Sequence, residues 1–127
     1  MKRDGIPMKR DDGAALVEFS VVLSLLVMIL FGIIGFGRAY NAQVTLTHAS
    51  REGVRVLAIT GDANAAIQAT KDAAPTLDPA LLAVSTDVCS PGFPTELTAS
   101  YPFELDIPFW GTQNLNLDAT AVMRCSG

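Results

Sequence analysis

The chain has 127 residues, of which half are hydrophobic and only 17% charged, with a net charge of −4 at pH 7. That length suits one small domain, and so apolar a composition excludes both intrinsic disorder and a chain that is soluble along its whole length. The acidic balance argues against nucleic acid as a partner.

The charges are unevenly placed. Residues 1–13 hold Lys2, Arg3, Lys9 and Arg10 against Asp4, Asp11 and Asp12. The 19 residues from Phe19 to Gly37 then carry no charge and only two hydroxyls, those of Ser20 and Ser24. As a helix this run is ~28 Å long at ~1.5 Å per residue, enough to cross a hydrocarbon core. It is longer than the apolar core of a typical secretory signal peptide, and Gly37-Arg38-Ala39 after it makes a weak cleavage site. Lysine and arginine close to a span set its orientation. Four of them precede this one, so the short leader is expected in the cytoplasm and everything after the span beyond the membrane.

Glu18 stands at the edge of the apolar run, shortly after Gly13 and Ala14. One reading lets its carboxylate snorkel to the headgroups; the other buries it in an assembly beside a cation. Were the chain cut between Gly13 and Ala14, the new α-amino group of Ala14, on the same or an adjacent chain, would be the nearest cation.

Beyond Arg38 the pattern stays helical. Ala39, Ala42, Leu46, Ala49, Gly53 and Leu57 recur at spacings of three and four, opposite Asn41, Gln43, Thr45, Thr47, Arg51 and Arg55. One long helix is predicted over 14–60, ended by Gly61. Gly32, Gly35 and Gly37 read as a flexible joint, as sites of close helix packing in a filament, or as the ordinary glycines of a membrane helix. Arg51 and Arg55 lie one turn apart with Glu52 beside them. That face either docks on acidic carboxylates, of the same head or of the next subunit, or is simply solvated.

Asp62 is an N-cap for an alanine-rich helix over 63–74, which Pro75 stops. Asp78-Pro79 opens a short turn through Leu82. Leu82, Val84 and Val88 suggest a short strand. Apolar residues then hold the odd positions from Leu97 to Ile107 and from Leu115 to Cys125, with Val122 the one apolar intruder between them. Such alternation predicts strands over 95–107 and 114–125 with one buried face. Pro102 places its strand at an edge or a bulge. Phe109 and Trp110 fall in the turn between these strands, where aromatics either cap the sheet or meet a partner. Cys89 and Cys125 read as one disulfide in an oxidising compartment or as two separate thiols. His48 is the only histidine and no CxxC spacing exists, so no metal site is expected. No GxSxG, HExxH, P-loop or GxGxxG motif occurs, and Glu104 and Asp106 on one strand face read as solvated. The chain is expected to have no enzymatic activity and no cofactor.

Two motifs carry a resemblance. Gly13 followed by Ala-Ala-Leu-Val-Glu-Phe, with Glu18 and Phe19 five and six residues after the glycine, resembles the prepilin peptidase site of type IVb pilins. Further on, Phe31, Gly32, Phe36, Gly37 and Arg38, then Ala49, Arg51, Glu52, Gly53 and Arg55, are similar to the TadE-like minor pilins and pseudopilins of the tight adherence (Flp) pilus. At Gly35 that family commonly has an acid. The resemblance implies a pilin-like α+β fold, with a long N-terminal helix and a small antiparallel sheet as head. It implies a leader over 1–13 removed by prepilin peptidase between Gly13 and Ala14. A transmembrane half-helix over 14–37, an extramembrane half over 38–60 and a periplasmic head over 61–127 would follow. Glu18 and Phe19 would serve subunit packing and processing. Partners would be other pilin or pseudopilin subunits, the peptidase and the inner-membrane assembly platform. The location would be the bacterial inner membrane or an extracellular pilus. The competing expectation is an uncleaved, signal-anchored periplasmic binding domain that uses Phe109 and Trp110; a periplasmic enzyme ranks third.

Overall fold

A computed structural model describes residues 8–126. Two helices, α1 (Met8–Thr60) and α2 (Ala63–Asp72), precede three strands, β1 (Ala83–Thr86), β2 (Pro94–Ile107) and β3 (Gly111–Arg124). The architecture is the expected α+β arrangement of a long N-terminal helix and a three-stranded antiparallel sheet. Contacts divide the chain into two units, one up to Ile34 and one from Gly35 onward.

The described residues of the first unit are helix alone. The chain is already helical at Met8, six residues before the predicted Ala14. Gly13 does not interrupt the helix. The two hydroxyls of the apolar run bond backwards, Ser20 to the Leu16 carbonyl and Ser24 to the Ser20 carbonyl, both at 2.8 Å. Each is thus satisfied without water, as lipid demands.

In the second unit the predicted stripe is the packing face. Ala42, Leu46, Ala49, Gly53, Val54, Leu57 and Ala58 of α1 are buried, and Gly35 and Ala39 are half-buried at its start. Leu46, Ala49, Leu82, Ala99 and Leu117 share one apolar cluster; Val54, Leu57, Ala66, Leu97 and Ala121 share the other. Each fully buried leucine here contributes about 1.5–3 kcal/mol relative to exposure. Small residues let the elements approach. A Cβ on Gly53 would run into Thr70 Oγ1 and lie 2.9 Å from Leu97 Cδ1, and one on Gly35 would lie 3.0 Å from Leu105 Cδ1. Those two contacts also give direction: β2 runs antiparallel to α1, with Leu97 beside Gly53 and Leu105 beside Gly35. The 18 helical residues between these glycines rise ~27 Å, and the eight strand residues between these leucines ~26 Å, so the two elements keep step.

Gly61 ends α1 as predicted, with φ +69° and its N–H on the Leu57 carbonyl at 2.8 Å. Asp62 caps α2 by accepting from the Asn64 N–H at 2.9 Å. That helix stops at Asp72 rather than Ala74, because the residue before Pro75 disfavours the helical region. In the sheet, order β1-β2-β3, β2 is central and pairs with β3 in unbroken register from Pro94–Arg124 to Ile107–Gly111. Pro102 therefore lies in the central strand, without a bulge. It is tolerated because β1 pairs only with Leu97–Ser100, so β2 has β3 as its single neighbour at Pro102. Val88 falls outside β1 and is exposed. The alternation holds for Leu97, Ala99, Leu117, Ala119 and Ala121 but thins at both ends of β3, where Leu115, toward the hairpin turn, and Met123, at the far end, are 44% and 40% exposed. One helix covers about two strand widths, and near the turn it follows β2 rather than β3.

Candidate functional site

The residues singled out by sequence fall at four places. Gly13, Ala14, Glu18 and Phe19 lie on consecutive turns of α1, all exposed, and a Cβ on Gly13 would meet nothing within 4 Å. Glu18 stands one helical turn beyond Ala14, the i, i+4 spacing at which side chains share a face. The apolar stretch that follows is long enough to cross a membrane, and no residue of it is fully buried by the protein.

Arg51 and Arg55 point outward on the part of α1 that the sheet covers from the other side, and Glu52 beside them is half-buried. Cys89 and Cys125, 36 residues apart in sequence, are brought together as a disulfide with a Cα–Cα separation of 5.8 Å. Backbone bonds fasten the same corner: Cys125 N–H to Phe93 O at 2.9 Å, Gly92 N–H to Cys125 O at 3.1 Å and Ser126 N–H to Ala58 O at 3.0 Å. The cysteines are structural.

Phe109 and Trp110 sit in the β2–β3 turn, as their position between two strands predicts. Trp110 donates its N–H to the Ile107 carbonyl at 3.1 Å, Pro108 takes the second position of the turn, and Phe109 has φ +74°. Proline second and positive φ third are the signature of a type II turn, a position that selects glycine. The same turn occurs at Ser90-Pro91-Gly92-Phe93, closed by Phe93 N–H to Ser90 O at 3.0 Å, and there Gly92 supplies the φ of +80°. Phe109 is the only non-glycine residue with positive φ among the described residues. A bulky residue held there stores about 1–3 kcal/mol of strain. Its ring is 96% exposed and that of Trp110 65%. The turn does not use these aromatics to cap the sheet.

Three features were legible in the sequence only in part or not at all. Gly35 belongs to the packed stripe, where Leu105 fills the space beside it; the signal was there, since residue 35 continues the 39, 42, 46 spacing backwards. Phe36 and Tyr40, one turn apart and 73% and 64% exposed, place two more aromatics at that end of the second unit. The third is the positive φ of Phe109, which the sequence conceals because proline then phenylalanine does not announce that turn.

The model of the TadE-like protein family matches residues 13–55 of this chain. The match opens at Gly13 and closes at Arg55, so it takes in Glu18, the whole apolar run and the arginine face. Neither the curated proteins nor the solved structures contain a match. Over residues 13–55, its helical stem, the chain is therefore similar to the TadE-like proteins, and that likeness associates it with the tight adherence pilus.

Proposed function

We propose that the chain is a minor pilin or pseudopilin: a structural or assembly subunit, inserted by its apolar helix into the bacterial inner membrane with its N terminus inside. Prepilin peptidase cuts it between Gly13 and Ala14, and the mature helix packs among other pilin or pseudopilin subunits at the assembly platform. The observation that carries this reading is the TadE-like match beginning at the cut itself and running through an apolar helix that nothing in the protein covers. Cutting leaves Ala14 as the first residue, with its ammonium one turn from Glu18 on the same helix. A carboxylate at the hydrocarbon edge gains most from a partner when leaving water, so a neighbouring subunit's ammonium favours side-by-side packing. The head, residues 61–127, holds Lys71 and Arg124 against eight acids and offers no catalytic grouping; its role is contact.

The test is the intact mass and N-terminal sequence of the membrane-bound chain, made with and without the peptidase. The expected product begins at Ala14 only when the peptidase is present, and Glu18→Ala is still cut but no longer assembles. A full-length chain under both conditions overturns the proposal in favour of an uncleaved, anchored binding domain.

A further inference from the structure

The hairpin turn is unusual in three independent ways. Its third residue is a phenylalanine in a conformation that favours glycine, at φ +74°. Its two aromatics are exposed, Phe109 at 96% and Trp110 at 65%. And the stretch from Ile107 to Leu117 around it has no charged residue, the longest such stretch in the head. A strained loop that displays uncharged aromatic rings to water is stabilised only if something other than water receives them.

Its position in the fold says what that is. Because β2 runs antiparallel to α1, the turn beyond Leu105 lies at the Gly35 end of the second unit. Gly35, Phe36 and Gly37 are also the last residues of the uncharged run from Phe19. Two uncharged stretches, one helical and one in the hairpin, therefore finish at the same end of this unit. Phe36 and Tyr40 of α1 are exposed there, and Arg38 between them carries the first charge after the run. Aromatics followed by a cation where an apolar helix ends mark the level of the lipid headgroups. Glu104 and Asp106, exposed at alternate positions of β2, keep the other face of the hairpin in water.

We infer that the Pro108–Trp110 turn is a second membrane contact, with Phe109 and Trp110 entering the headgroup boundary of the bilayer that α1 crosses, level with Phe36 and Tyr40. The inference rests on the anchor reading above and adds to it a lipid partner for the head. The head is then held at two points, the helix and the turn, and its orientation to the membrane is fixed. Charge-free surface and amphipathic rings suit an uncharged or zwitterionic headgroup layer, which needs no specific recognition.

Trp110 is the only tryptophan of the chain and reports its own surroundings. The full chain is placed in phosphatidylcholine vesicles at low protein-to-lipid ratio, with bromine on the acyl chains at a shallow or a deep carbon. Trp110 is expected to emit at shorter wavelength than in water and to lose most of its emission to shallow bromines. A second protein, Trp110→Phe with Phe31→Trp, reports the helix and is expected to be quenched by deep bromines. If the helix reporter is quenched while Trp110 emits as in water, the inference fails and the anchor stands. If Trp110 is shielded from water yet untouched by bromine, protein covers the turn and the inference fails. If neither reporter is quenched, both readings fall.

Discussion

Gly92 and Phe109 occupy the same position of the same kind of turn, and only one of them lacks a Cβ. Replacing Phe109 by glycine is expected to stabilise the head by about 1 kcal/mol, the released strain less the entropy of a freer unfolded chain. A denaturant midpoint in micelles checks this; a lower midpoint would mean that the ring packs on the protein. Gly53 is the opposite case, a glycine required by space and not by φ. Gly53→Ala is expected to destabilise by about 1–3 kcal/mol through overpacking on Thr70 and Leu97. Part of that loss should return in the Thr70→Ala background, a coupling that a double-mutant cycle measures. The glycines of this chain thus looked alike in sequence while their demands differ. The partner that decides between joint and close contact, Leu105 for Gly35 or Thr70 for Gly53, is distant in the chain and no local pattern names it.

At the scale of elements, periodicity carried most of the fold. The stripe from Ala39 to Leu57 and the alternation from Leu97 onward each point a run of apolar side chains one way, and both faces are found buried. Periodicity failed where two influences competed. Val88 lies outside β1 because the chain turns there toward Cys89. Pro102 was legible as an exception to pairing but not as a residue of a central strand, since how far β1 extends is invisible from β2. The disulfide joins the segment after β1 to the end of β3, and in the chain-entropy model a loop of this length stabilises by ~3–4 kcal/mol. The Cys89→Ser, Cys125→Ser double variant is therefore expected to unfold at a clearly lower denaturant concentration, and reductant should move the wild-type midpoint to the same place. An unshifted midpoint would leave the backbone bonds at Phe93 and Ala58 as the whole fastening of that corner.

For the molecule as a whole, charge is segregated: the outward face of α1 carries Arg51 and Arg55, while eight acids lie beyond residue 60. Exposed arginines contribute little to their own subunit, so Arg51→Ala with Arg55→Ala is expected to change head stability by less than about 0.5 kcal/mol. Crosslinking between neighbouring subunits in membranes should fall in the same variant. A large loss of stability with crosslinking intact would assign the arginines to their own head. The sheet's place against α1 has one more consequence, in time. Leu46, Ala49, Val54 and Leu57 are made early, yet the residues that cover them, from Leu82 through Leu97 to Ala121, emerge only with the last strand. Throughout synthesis, that side of the helix travels bare. The emerging chain must be sheltered during that interval by a holding partner that lets go once β3 has docked.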